Sequence, residues 1–111
     1  MTRVLPHPAP QSALSVHDSL ARHLLVDGFD LVLDLQRSRG ATLVDERDGA
    51  TYLDMFTFFA SNALGMNHPA LTEDEQFRDD LLTAALHKPS NSDVYTEPMA
   101  RFVDTLSLIH I

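Results

Sequence analysis

Residues 31–55 read LVLDLQRSRGATLVDERDGATYLDM, and the period of their apolar side chains decides the fold class. Leu31, Leu33 and Leu35 alternate with Val32 and Asp34, which is the two-residue period of a strand. The turn formers Arg37-Ser38-Arg39-Gly40 follow, then a second run, Ala41-Thr42-Leu43-Val44-Asp45. Glu46-Arg47-Asp48-Gly49 separates it from a third, Ala50-Thr51-Tyr52-Leu53-Asp54-Met55. Short extended runs joined by polar, Gly-ended connections predict a three-stranded antiparallel meander.

The helical period appears on both sides of this region. Upstream, Ser15 offers an N-cap with Asp18 three residues on, and Val16, Leu20 and Leu24 recur at helical spacing until Asp27-Gly28. Residues 1–14, with Pro6, Pro8 and Pro10, show no period and are expected to form a flexible leader. Downstream, Phe56–Leu64 is apolar but dotted with Thr57, Ser61 and Asn62, and is expected to be irregular and partly buried. Thr72 and Glu75 form a capping-box pattern for a helix whose Phe77, Leu81, Leu82, Ala85 and Leu86 share one face. Pro89 stops that helix near His87. Thr96 caps a last helix, with Met99, Phe102, Val103 and Leu106 on one side. The predicted class is α+β: one helix, the meander and two further helices over residues 15–105. The still-apolar residues 106–111 are expected to be an aberrant or truncated tail.

Composition narrows the function classes. A chain of 111 residues holds one hydrophobic core at most. Its net charge of -8 repels phosphate backbones, which argues against nucleic-acid binding. With no cysteine, disulfides, thiolate nucleophiles and zinc-thiolate sites are excluded. No apolar run approaches the roughly 20 residues of a membrane span. The leader lacks a signal-peptide core, so a cytoplasmic location is expected.

The chain is sparse in groups that carry chemistry. Histidines 7, 17, 23, 68, 87 and 110 show no metal-ligand spacing, so no metal site is expected. Glu73-Asp74-Glu75 and Asp79-Asp80 fit a solvated helix start and polar face. Gly28, Gly40, Gly49 and Gly65 are scattered instead of clustered as in a phosphate cradle. Ser61, Ser90 and Ser92 lie in no nucleophile elbow. Lys88 is the sole lysine, and beside Pro89 at a helix end it reads as a dipole-compensating cation.

Several stretches nonetheless resemble a known family. They are Leu25–Leu35, Leu43-Val44-Asp45, Gly49, Tyr52–Phe56 and Ala63–Leu71, in an order and spacing similar to the opening of class III aminotransferases. Asp54–Phe58, Lys88–Tyr95 and Met99–Val103 look like the lysine 6-aminotransferase branch of that class.

The resemblance implies a segment of a fold-type I enzyme that binds pyridoxal 5'-phosphate. It also implies a homodimer that moves the terminal amino group of L-lysine to 2-oxoglutarate. The catalytic lysine and cofactor-binding residues of such enzymes lie downstream, so none maps onto this sequence and the isolated chain should be inactive. Phe58, Phe59, Ser61 and Asn62 are the substrate-pocket candidates, and Ser90, Asn91, Ser92 and Tyr95 the interface-loop candidates. Two alternatives stand beside this one. They are another class III ω-aminotransferase, acting on ornithine, 4-aminobutyrate or acetylornithine, and a stand-alone acidic interaction module.

Overall fold

A computed structural model describes residues 12–109. Residues 1–11 of the expected leader and the last two residues of the expected tail lie outside the described residues. The chain divides into two compact units, 1–68 and 69–111.

In the first unit the predicted hairpin forms. Strand β1 (Thr42–Val44) pairs antiparallel with β2 (Thr51–Leu53), in the register Thr42 to Leu53, Leu43 to Tyr52 and Val44 to Thr51. The connection closes through Asp45 N–H donating to Ala50 O and Gly49 N–H to Asp45 O, both at 2.8 Å. Gly49 sits at φ 77°, a conformation that side chains disfavour and a tight connection requires.

The third strand of the expected meander does not form, so the sheet has two strands instead of three. Leu31–Leu35 runs alongside β1 but makes a single bridge, Leu33 to Asp45, with Asp34 N–H on Val44 O and Glu46 N–H on Val32 O. Asp34 supplies the physical reason. Its Oδ1 turns back to accept from the amides of Gln36 (2.9 Å) and Arg37 (2.8 Å), which starts a turn before a ladder can grow.

The first helix is also shorter than its apolar spacing suggests. After a 3-10 turn at Ala13–Ser15, α1 covers only Val16–Ala21. Leu24, expected to extend its stripe, is exposed, as is the next residue, Leu25. A helix this short depends on a surface against which to bury its stripe, and these leucines have none. The Ser15 hydroxyl donates to Ser12 O instead of capping the helix.

A small core of Val32, Leu43, Val44 and Met66 sits beside the hairpin, together with the buried polar residues Asp34, Ser38, Asp45 and Asp54. Ser38, fully buried, donates its hydroxyl to Asp34 O at 2.7 Å and accepts from Val44 N–H at 2.9 Å. Gly40 and Met66 exchange both backbone hydrogen bonds (2.8 and 2.9 Å), which places Gly65 against the Gly40 backbone. A Cβ on Gly65 would lie 2.8 Å from Gly40 O.

The second unit contains α3 (Pro69–Thr72), α4 (Glu75–Leu86) and α5 (Glu97–Ile109). The expected Thr72–Glu75 capping box is replaced, because Thr72 is itself helical in α3. The extended Asp74 caps α4 by accepting from Phe77 N–H at 2.8 Å. α4 stops at His87, φ -122°, ahead of Pro89. The Thr96 hydroxyl accepts from Met99 N–H at 3.4 Å and donates to Pro89 O, closing the loop that leads into α5. None of the described residues in this unit is buried.

Candidate functional site

β2 ends at Leu53, and after Asp54 the chain makes a turn of opposite hand. Thr57, Phe58, Phe59 and Ala60, assigned α2, have φ of 49°, 52°, 55° and 62°. The left-handed region opposes the chirality of L residues by roughly 1–2 kcal/mol each. A run of four persists only where surrounding contacts over-determine it, and such strain concentrates at functional sites.

Three sets of contacts hold the run. Asp54 Oδ1 accepts from the amides of Phe56 (2.9 Å) and Thr57 (2.7 Å) at its start. Ser61 N–H and Asn62 N–H donate to Phe58 O and Thr57 O at 3.2 Å, and the Ser61 hydroxyl to Phe58 O at 2.6 Å, at its end. Phe56 forms the hub of an aromatic cluster, with ring centroids 5.3 Å from Phe58, 4.8 Å from Phe59 and 5.5 Å from Phe29. The edge-on pairs are the favoured geometry for such rings.

The structure thus brings Phe58, Phe59, Ser61 and Asn62 together on one turn. Phe58 is half-buried, Phe59 is 89% exposed, and Asn62 Nδ2 lies 3.3 Å from Met66 Sδ. Beside the turn runs an apolar groove of about 490 Å³, lined by residues that include Phe29, Leu31, Tyr52, Leu53, Met55 and Phe56. None of the four candidates lines it. Asp54, Phe56 and Phe29 are the residues that sequence reasoning missed. The signal for Asp54 was available, since an Asp followed by two residues whose amides it can accept is an Asx-turn pattern.

The interface-loop candidates occupy the second unit. Asn91 Oδ1 accepts from Asp93 N–H (2.7 Å) and Val94 N–H (3.3 Å), which fixes the loop, and Ser90, Asn91, Ser92 and Tyr95 are exposed.

The strongest electrostatic contacts lie elsewhere in the first unit. Arg47 bonds the buried Asp45 and reaches Asp30 at 2.7 Å, and its hydrogen bonds hold the Asp45 carboxyl down to about 2. The Arg37 guanidinium likewise lowers Asp34. Both carboxylates are saturated by these partners, so their role is to pin the turns around the hairpin. No group of three or more His, Asp or Glu among the described residues could hold a metal ion. No described helix is long and apolar enough to cross a membrane.

Pyridoxal phosphate needs a lysine for its imine and a cradle of donors for its phosphate. Lys88 is exposed in the second unit, and the glycines at positive φ (Gly40, Gly49 and Gly65) serve the turns and close approach of the hairpin unit. These residues do not fit the group, and no chemical step through it is assigned to them.

No family model matches the chain. It is 58% identical over 100 residues to the L-lysine-epsilon aminotransferase of Mycobacterium bovis, an alignment covering 90% of this chain and 22% of that protein. With the L-lysine-epsilon aminotransferase of Amycolatopsis lactamdurans it shares 51% identity over 102 residues, 92% of this chain and 23% of the relative. Among solved structures it matches the lysine aminotransferase from M. tuberculosis in the internal aldimine form, with a TM-score of 0.82 and 59% identity. That match covers 87% of this chain and 22% of the solved one.

In sequence and fold the chain is homologous to the N-terminal part of an aminotransferase. The particular enzymes it resembles are L-lysine-epsilon aminotransferases, and the chain spans about a fifth of their length.

Proposed function

We propose that the chain is part of an enzyme that transfers the terminal amino group of L-lysine to 2-oxoglutarate, using pyridoxal 5'-phosphate held by residues outside this segment. The observation that carries the reading is the 58% identity, sustained over 90% of the chain, to proteins named for the lysine reaction.

In this reading residues 15–105 are the working segment and residues 1–14 stand outside it. Residues 106–111 carry no function. Phe58, Phe59, Ser61 and Asn62 form one wall of the amine-donor pocket. The rings exclude water around the methylene chain, and the short polar groups orient its ends. Ser90, Asn91, Ser92 and Tyr95 lie at the interface of a homodimer that works in the cytoplasm. The cluster of Phe58 and Phe59 about Phe56 supports the pocket assignment.

The test is a direct assay. Isolated chain incubated with pyridoxal phosphate, L-lysine and 2-oxoglutarate is expected to yield no glutamate. The full-length protein carrying the segment is expected to yield it, with lysine preferred over ornithine and 4-aminobutyrate. Turnover by the isolated chain, or a preference for another amine, overturns the assignment.

A further inference from the structure

Asp54 stands between the hairpin and the left-handed turn and is bonded to both. It is 8% exposed, its own amide donates to Ala41 O at 2.7 Å, and its Oδ1 accepts from Phe56 N–H and Thr57 N–H. Without those two bonds the turn would lose its side-chain anchor at Asp54. Four successive residues with side chains at positive φ would then favour the opposite hand. The hand matters for the rings, because reversing it sends successive side chains around the turn in the other sense. Phe58 and Phe59 would no longer both meet Phe56 at their present 5.3 and 4.8 Å.

We propose that Asp54 is a positioning residue for amine-donor binding: by fixing the Phe56 and Thr57 amides it sets the hand of the Thr57–Ala60 turn, and with it the orientation of the Phe58 and Phe59 rings. The inference rests on the reading of those rings as a wall of the amine-donor pocket. Asp54 touches no substrate in this scheme. It acts through backbone amides, so a neutral carbonyl oxygen in the same place serves as well as a carboxylate.

The experiment uses the full-length holoenzyme and follows each substrate separately. Asp54→Ala is expected to raise KM for L-lysine by about tenfold, leaving KM for 2-oxoglutarate and the cofactor absorbance spectrum unchanged. Asp54→Asn keeps an Oδ1 acceptor and is expected to restore the lysine KM to within about twofold. Asp54→Ala combined with Phe59→Ala is expected to raise KM by less than the two single effects together, because part of the Asp54 effect passes through the Phe59 ring.

Equal changes in both KM values, failure of the Asn variant to restore, or additive effects in the double variant overturn the positioning role. If Phe58→Ala and Phe59→Ala leave lysine KM unchanged, the pocket reading falls first and takes this inference with it. Should Asp54→Ala not fold, Asp54→Glu carries the same test, since it keeps the charge and moves the acceptor by one methylene. Lysine KM is then expected to rise alone, and no selective rise overturns the proposal.

Discussion

Arg47 meets the Asp45 carboxylate with two nitrogens, Nε 3.0 Å from Oδ1 and Nη2 2.6 Å from Oδ2. The carboxylate is fully buried, and its backbone amide pairs with Ala50 O to close the hairpin. Removing the cation leaves a buried charge without its partner, one of the few mechanisms by which a single substitution destabilises strongly. Arg47→Ala is expected to speed amide exchange at Val44 and Asp45 by roughly ten- to a hundredfold. Unchanged exchange would show that the pair contributes nothing to the hairpin.

The same pair sets a pH dependence. In the folded chain Asp45 titrates at about 2, whereas an unfolded aspartate titrates at ~3.9. As pH falls, the unfolded chain takes up the proton first, so the stabilisation is full above about pH 4 and is lost between about pH 4 and 2. Asp34, lowered by Arg37, adds loss in the same direction. Unfolding followed across this window should show stability dropping with acid, and the drop should be shallower in Arg47→Ala.

Ala60 holds φ 62° with a side chain, which glycine would adopt without strain. Ala60→Gly is expected to stabilise the turn by about 1 kcal/mol. Slower exchange at the Ser61 and Asn62 amides, which close the turn, would register it. Faster exchange would mean that the left-handed run is not strained at this position.

Gly65 presents the reverse case. It combines φ 79° with a backbone approach so close that an added Cβ would stand 2.8 Å from Gly40 O, so an alanine meets backbone that cannot step aside. Gly65→Ala is expected to destabilise the first unit by about 2–3 kcal/mol. The loss should be read at the Gly40 and Met66 amides, whose mutual bonds it breaks.

The two units should differ in local stability. The first has a small buried core, whereas α4 and α5 leave Leu81, Leu82, Leu86, Phe102 and Leu108 exposed. Isolated chain is expected to bind a hydrophobic dye and to protect β1 amides far better than α4 amides. Equal protection in both would contradict this.

What could be read from the sequence follows the range of the interactions involved. The pocket candidates Phe58, Phe59, Ser61 and Asn62 came from resemblance, and they do share one turn. Their anchor Asp54 and hub Phe56 belong to the stretch Asp54–Phe58 that carries the resemblance, but the sequence reading gave neither a role in the site. The hand of the turn left no trace in composition, since Thr, Phe, Phe and Ala all prefer the other one.

By itself the sequence determined the elements whose signals lie within a few residues. These are the β1–β2 hairpin with Gly49 in its connection, the stop of α4 before Pro89 and the Thr96 cap of α5. Only the tertiary structure decided whether Leu31–Leu35 would pair as a strand, how far α1 would run and which hand residues 57–60 would take. Caps and turns are settled by neighbouring amides and a fixed φ. Pairing and the strained turn are set instead by Asp34 and Asp54, which take up neighbouring amides against the propensity of the residues around them, and helix length by the surface the rest of the chain offers, so no apolar period specifies them.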